Sequence, residues 1–230
     1  MSKFRTVIGA ALLSAAALVG PAVAATVDVT KQNQSNIFRD ASGNNAFVQS
    51  VGYTVNGTSR SASAGAFRLT ATNAGGASQN FVAFCLEPLE WLHLKAYDDG
   101  TSLSSTVVGK LGALMTNAFG QINNSAKGAA FQIAAWEIVS ESTGNYDLGS
   151  GAFKVTSASS GAKSTAQSWL NMISSGTWVA NSNVRILTAP GTQDLLTTMA
   201  PVPVPAAGLM LIGGLAGMAG LRRRKKKVSA

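Results

Sequence analysis

The chain has 230 residues, a formal net charge of +8 and a single cysteine, which suits one domain with processing segments at its ends. Two of the 18 Lys and Arg residues lie near the N-terminus and six near the C-terminus, so ten remain between Thr26 and Ala200 to balance ten acidic residues. The central region is therefore about neutral, which excludes a DNA- or RNA-binding protein, and we expect no nucleic-acid partner.

The first 24 residues have the pattern of a secretory signal peptide. Lys3 and Arg5 precede an apolar run over Val7–Val19, and the small residues Ala22 and Ala24 follow. Because this run is too short for an ordinary membrane helix and ends in an Ala-x-Ala site, we expect signal peptidase to cleave after Ala24. In an exported protein, a lone cysteine pairs between chains, stays buried and inert, or is kept for chemistry.

Residues 201–230 form a three-part pattern. An uncharged apolar run over 206–221 is slightly shorter than the roughly 17–25 residues of an ordinary membrane helix. The basic tail after it predicts a single membrane helix whose end stays on the cytoplasmic face, with the bilayer thinned locally. The tail consists of Arg222, Arg223, Arg224, Lys225, Lys226 and Lys227.

Between Thr26 and Ala96, alternating apolar and polar residues predict strands with one buried face. Turns are expected at Ser42–Asn44, Asn56-Gly57 and Asn73–Gly76. The predicted strands are Thr26–Thr30, Phe47–Val55, Ala66–Thr72, Asn80–Glu87 and Trp91–Ala96.

After residue 100 the apolar residues recur at helical spacing. Helices are predicted over Leu103–Phe119, Ala126–Ser142 and Ala162–Ile173, with Ser104 or Ser105 capping the first and Asn123–Ser125 the second. Short strands are predicted at Gly151–Thr156, Val184–Leu187 and Asp194–Thr197, the last two returning to the sheet. This order predicts an α+β fold for residues 25–200: an antiparallel sheet or β-sandwich with about three helices gathered on one side.

The second helix is apolar on nearly every side between Gly128 and Val139, yet it contains Gln132. A helix of this kind is expected to be buried, and a buried amide without partners costs about 1–3 kcal/mol. The helix therefore predicts a partner for Gln132. On the same helix, Glu137 and Glu141 lie one turn apart, which favours a solvated stripe over an acid/base pair.

The single cysteine, Cys85, ends an apolar strand. Besides inert packing, two interpretations are considered from the residues alone: a hydrolase nucleophile and a metal ligand. A cysteine hydrolase would pair it with His93, the only histidine, if the two lie on neighbouring strands. Alternation makes His93 more simply an outward-facing residue of its strand. One Cys and one His supply too few ligands for an ordinary metal site, so we expect no metal and no other cofactor.

The C-terminal pattern resembles the VPLPA variant of the PEP-CTERM sorting signals. The matching motif is Val202, Pro203, Val204, Pro205 and Ala206, with Val204 in place of the usual leucine. This resemblance implies recognition by an exosortase-type membrane enzyme, which removes the helix and releases or transfers the ectodomain. The implied destination is the cell surface or extracellular matrix of a Gram-negative bacterium, after an intermediate anchored in the inner membrane.

Two further motifs resemble those of bacterial thioester domains. They are Phe84-Cys85-Leu86-Glu87 and the run Phe131-Gln132-Ile133-Ala134-Ala135-Trp136, where Glu87 replaces the usual Asp and Phe131 the usual Thr. The resemblance implies that the Cys85 thiol and the Gln132 amide condense to an internal thioester, which Trp136 and Phe131 shield from water.

Three hypotheses follow from these motifs. The first is a surface or matrix protein, not an enzyme, that attaches once and covalently to an amine- or hydroxyl-bearing ligand through Cys85 and Gln132. The second is a structural or adhesive matrix component with an inert Cys85. The third is the hydrolase that would use Cys85 and His93.

Overall fold

The computed structural model describes residues 26–141, 144–181, 184–197 and 199. The predicted signal peptide, with Ala22 and Ala24, and the predicted sorting signal at 201–230 lie outside these residues. Across the described ranges, no helix is both long enough and apolar enough to cross a bilayer.

Nine strands and three α-helices make up the described part of the chain. The strands are β1 (Val27–Lys31), β2 (Val48–Val55), β3 (Thr58–Gly65), β4 (Phe67–Asn73), β5 (Ser78–Cys85), β6 (Ala96–Asp99), β7 (Phe153–Ser157), β8 (Arg185–Thr188) and β9 (Leu195–Thr197). The helices are α1 (Ser105–Ala118), α2 (Ser125–Ser140) and α3 (Ser160–Ser174), and a short 3₁₀ turn at Phe119–Gln121 follows α1.

Six strands form a closed antiparallel barrel in the order β1-β4-β5-β9-β8-β6. In β4 the buried Phe67, Leu69 and Ala71 alternate with partly exposed neighbours, so one face of the strand points into the core. The C-terminal strands close the barrel because β9 pairs with the end of β5, where Leu195 lies opposite Cys85. This pairing fixes the chain on one side of the cysteine.

The other three strands form a separate sheet in the order β3-β2-β7. Asn56 and Gly57 connect β2 to β3 with positive φ angles of 48° and 82°, which is the type I′ geometry that suits a tight hairpin. Helix α2 packs against this sheet and also against β5, so it lies between the sheet and the barrel. All of its residues from Gly128 to Ile138 are consequently buried.

A glycine allows the start of α2 to approach the chain that leads into β2. A Cβ atom at Gly128 would lie 2.2 Å from the carbonyl oxygen of Phe47, which is far too close. Asn124 caps the same end of the helix, since its side chain accepts a hydrogen bond from the backbone N–H of Lys127 at 3.0 Å. These two features set the position of the helix that carries Gln132.

The α+β class, the antiparallel pairing and the three helices are confirmed, and the caps at Ser104 and Asn124 are as predicted. The sheet is not a single layer or a sandwich, since six strands close a barrel and three form a second sheet. Strand β3 was not predicted, because its sequence TSRSASAG is dominated by Ser, Ala and Gly rather than by strand-forming residues.

The predicted strand at Trp91–Ala96 is wrong: residues 91–94 form no strand, and β6 begins only at Ala96. The backbone here bonds to a side chain instead of a neighbouring strand, since Thr192 Oγ1 accepts the N–H of His93 at 2.8 Å. Tyr97 supports the same threonine through its hydroxyl, 3.1 Å from Thr192 Oγ1.

Asn124→Ala should lower the free energy of unfolding by about 1 kcal/mol, because the first turn of α2 loses its side-chain cap. Asn123→Ala is the matched control, since Asn123 is an exposed asparagine whose Oδ1 accepts from the Asn124 amide at 3.1 Å but caps no backbone N–H of α2. Urea denaturation of the two variants checks this. Equal stability of both would show that the cap does not support the helix.

Candidate functional site

The side chain of Gln132 forms two reciprocal hydrogen bonds with the backbone of Cys85. Its Oε1 accepts the Cys85 N–H at 3.0 Å, and its Nε2 donates to the Cys85 carbonyl at 2.6 Å. Both residues are nearly inaccessible, with 1% exposure for Gln132 and 2% for Cys85. The amide that the sequence left without a partner is thus satisfied by the cysteine itself, on the strand that α2 contacts.

The sulfur of Cys85 has two polar neighbours. Trp136 donates its indole N–H to Sγ at 3.4 Å, and the thiol donates to the carbonyl of Glu87, also at 3.4 Å. Burial raises the pKa of the Cys85 thiol to about 12, although the Trp136 contact acts in the opposite direction. The sulfur is therefore a protonated thiol at neutral pH, with one donor already directed at it.

Glu87 joins the turn after Cys85 to the strand that pairs with it. Its Oε2 accepts the backbone N–H of Asp194 at 2.9 Å, and the Leu86 N–H donates to the Asp194 carbonyl at 3.0 Å. The Asp194 carboxyl is partly buried beside this carboxylate, and burial, followed by the charge of Glu87, raises its pKa to about 6. The acidic residue of the motif thus holds the turn in place.

Tyr53 holds the other side of the same turn. Its hydroxyl donates to the Pro88 carbonyl at 2.5 Å, and its ring lies 4.9 Å from that of Trp136. Burial is the main cause that raises the pKa of Tyr53 to about 12, so the phenol stays a donor at neutral pH. The turn is consequently fixed from both sides of Cys85.

A cavity of about 80 Å³ reaches Cys85 and Trp136 from the surface. It is several times larger than the roughly 10–15 Å³ that one water needs, so a small nucleophile fits beside the sulfur. Leu89 and Trp91, which are 43% and 78% exposed, lie at its rim, whereas Cys85 and Trp136 lie at its inner end. The cavity therefore leads from the surface to the buried thiol, whereas Gln132 lies behind Cys85 and does not line it.

The other two candidate residues, Phe131 and His93, are not among the polar neighbours of the Cys85 sulfur. Phe131 is fully buried, with its ring 4.0 Å from that of Phe84, so it packs beside the neighbour of Cys85. The His93 side chain is exposed, and the strands beside β5 are β4 and β9, not the segment that carries His93. The arrangement that a Cys85–His93 pair requires is thus not formed by neighbouring strands.

Glu137 and Glu141 are not a solvated stripe, so that prediction is wrong. Glu137 is completely buried, and its Oε1 accepts the N–H of Asp147 at 2.8 Å, while Oε2 has no hydrogen-bond partner among the described residues. Glu141 accepts the N–H of Ala152 and, at 3.3 Å, that of Phe153. Glu137 therefore holds the segment between α2 and β7 at Asp147, and Glu141 holds it where it enters β7.

A second glutamine side chain also accepts from a backbone N–H and donates to a backbone carbonyl. Gln167 on α3 accepts the Leu148 N–H at 3.0 Å and donates to the Tyr146 carbonyl at 2.9 Å. No cysteine is involved in this contact, so Gln167 provides an internal comparison for Gln132. The sequence does not predict this link, because a glutamine on the polar side of an amphipathic helix is usually solvated.

Tyr53 and Gln193, which both line the cavity at Cys85, were also missed as parts of the site. Tyr53 lies at an inward position of a predicted strand, where any large residue fits, and Gln193 lies in a turn that the sequence places far from Cys85. Across the described residues, no three His, Cys, Asp or Glu side chains come together as metal ligands.

Comparisons with known proteins found no match to a family model, to a curated protein or to a solved structure.

The buried carboxyl of Glu137 makes stability depend on pH. The pKa of Glu137 is raised from 4.5 to about 8, mainly because the carboxyl is buried. The folded protein therefore retains a proton that the unfolded chain loses near pH 4.5. The unfolded state then binds fewer protons between these values, and the free energy of unfolding falls as the pH rises through this window.

Denaturation of the wild type and Glu137→Gln at pH 6 to 8 measures this dependence. The Gln variant should lose less stability as the pH rises, and the exposed Glu90→Gln controls for removal of a charge. The window above pH 6 is chosen because Asp194, with its pKa raised to about 6, contributes with the same sign below it. Parallel curves for the wild type and Glu137→Gln would contradict the assignment.

Proposed function

We propose that this chain is an exported surface or matrix protein, sorted through its C-terminal segment, that attaches covalently to a ligand through a thioester between Cys85 and Gln132. The reciprocal hydrogen bonds between the Gln132 amide and the Cys85 backbone carry this proposal. They hold the amide carbon next to the residue whose thiol would attack it. The export and sorting parts rest on the terminal motifs alone.

Thioester formation needs the thiol to add to Cδ of Gln132. The Sγ–Cδ bond forms, the Cδ–Nε2 bond breaks, and the thiol proton leaves with the nitrogen as ammonia. Negative charge develops on Oε1 during the addition, and the Cys85 N–H already donates to that atom. The backbone of the cysteine therefore supplies the donor that stabilises the tetrahedral intermediate, and no turnover is implied because the product is the modified protein.

Attachment reverses the roles of the two side chains. An amine or hydroxyl adds to Cδ of the thioester, the Cδ–Sγ bond breaks, and Sγ takes up the proton that the nucleophile loses. The indole N–H of Trp136 donates to Sγ and so stabilises the charge on the leaving sulfur. The cavity admits a small nucleophile to the Cys85 end of the thioester, and the burial of Cys85 and Gln132 keeps bulk solvent away from the bond.

A second function is supported by the same contacts. The two hydrogen bonds give each polar atom of the Gln132 amide a partner, and Gln167 forms the same kind of link without a cysteine. The high pKa of the Cys85 thiol also suits an inert side chain. On this basis, the alternative is a structural or adhesive matrix protein in which Cys85 only packs.

Intact mass of the exported protein, with its termini determined by peptide sequencing, separates the two functions. A thioester makes the chain lighter than its sequence by one ammonia. Cys85→Ala and Gln132→Ala should each abolish this deficit, whereas Gln167→Ala should retain it. The full sequence mass, together with a thiol that is alkylated in denaturant, would favour the structural alternative. His93→Ala should have no effect on the deficit.

Trp136→Phe should slow the reaction of the thioester with methylamine by about tenfold, equivalent to roughly 1.4 kcal/mol, because the leaving sulfur loses its donor. Trp169→Phe is the matched control, since Trp169 is a buried tryptophan of α3 whose ring packs against that of Trp178. The rate of the methylamine adduct, followed by mass spectrometry, checks this. Equal rates in the two variants would show that the indole acts only by packing.

A further inference from the structure

Strand β3 has one unpaired side. Asn56 and Gly57 form a two-residue turn with Val55 opposite Thr58, and the pair that closes such a turn is a hydrogen-bonded one. Hydrogen-bonded and non-hydrogen-bonded pairs then alternate along the hairpin. The backbone groups of every second residue of β3, starting at Ser59, therefore point away from β2.

The outward-pointing groups belong to Ser59, Ser61, Ser63 and Gly65, of which the three serines are exposed. The Ser59 carbonyl accepts a hydrogen bond from the guanidinium of Arg60 at 3.0 Å. Within the described residues, the backbone N–H and C=O groups of Ser61 and Ser63 have no partner on this side. Both serines are exposed, so this short length of strand edge is accessible from solvent.

The free edge of β3 borders the cavity that reaches Cys85. Ser61 and Ser63 line the cavity that ends at Cys85, and Trp91 lies at its rim. The backbone of Trp91 is held, because its carbonyl accepts the N–H of Gln193 at 3.3 Å, while its indole is 78% exposed. The Oε1 atom of Gln193, another lining residue, is buried and without a hydrogen-bond partner among the described residues.

We propose that the acyl acceptor is carried by an extended polypeptide that pairs with the free edge of β3 and places one side chain in the cavity over Cys85. Docking of this kind takes its affinity from main-chain hydrogen bonds, which Ser61 and Ser63 supply, and its specificity from a pocket for one side chain. The covalent step rests on the thioester of the proposed function, but the docking does not. In that step the side-chain nucleophile forms a bond to Gln132 Cδ, the Cδ–Sγ bond breaks, and the proton passes to Sγ.

An extended peptide suits this edge better than a second copy of the chain. The exposed part of β3 is polar, with Ser59, Arg60 and Ser61, and a stable dimer needs about 1,200–2,000 Å² of buried surface. A single polar edge strand does not supply an apolar interface of that size. A peptide, by contrast, also contacts the exposed Leu89 and Trp91 at the rim of the cavity.

The experiment compares two nucleophiles on the full chain purified in detergent. One is methylamine, and the other is the capped hexapeptide Thr-Val-Thr-Lys-Val-Thr, which pairs readily as a strand. Ser61→Pro removes one outward N–H at a position where an edge strand tolerates proline, and Ser61→Ala keeps that N–H. The ratio of the peptide rate to the methylamine rate should fall about tenfold in Ser61→Pro and stay near the wild-type value in Ser61→Ala.

Docking is measured separately from chemistry by hydrogen exchange in Cys85→Ala, which forms no thioester. Protection of the Ser61 and Ser63 amides by the peptide, without any covalent adduct in the wild type, would support the docking and overturn the thioester. A methylamine adduct with an unchanged rate ratio in Ser61→Pro would overturn the docking and support the thioester. Absence of both protection and adduct would overturn both, and protection that depends on protein concentration without peptide would assign the edge to a second copy.

Discussion

The pairing of the Gln132 amide with the Cys85 backbone is the constraint on which the centre of this structure depends. It joins α2 to the end of β5, and thus the three-stranded sheet that α2 covers to the barrel that β5 helps to close. An amide in a fully buried helix is tolerated only because both of its polar atoms are bonded. Loss of either partner would leave a polar group unpaired in the core.

The side chains around this pair form hydrogen bonds with backbone groups rather than with other side chains. Glu87 bonds the N–H of Asp194, Tyr53 bonds the carbonyl of Pro88, and Glu137 bonds the N–H of Asp147. Each fixes a segment that has no regular pairing of its own next to α2. The result is a turn after Cys85 that is held on both sides, with the buried thiol at the inner end of the cavity.

Much of this could be predicted from the sequence, and the failures have physical causes. The apolar run around Gln132 predicted a buried helix, and the lone cysteine was its proposed partner, because each was unusual in its setting. The barrel was not predicted, since alternation in β4 shows a buried face but not which strand pairs with which. The strand at Trp91–Ala96 was wrong because its alternation arose in a segment bonded to Thr192. Glu137 was predicted to be solvated, because helical spacing does not reveal that its carboxyl accepts the N–H of Asp147 in the loop after α2.

The most direct test of the thioester observes the side chain of Gln132 by NMR, in the full chain labelled with ¹³C and ¹⁵N at glutamine. If the thioester forms, the Gln132 side-chain NH₂ signals are absent and its Cδ resonates as a thioester carbonyl. The NH₂ signals of Gln167, the matched amide on α3, remain. An intact NH₂ pair on Gln132, with Cδ at an amide shift, would contradict the covalent account and leave Gln132 as a structural link to Cys85.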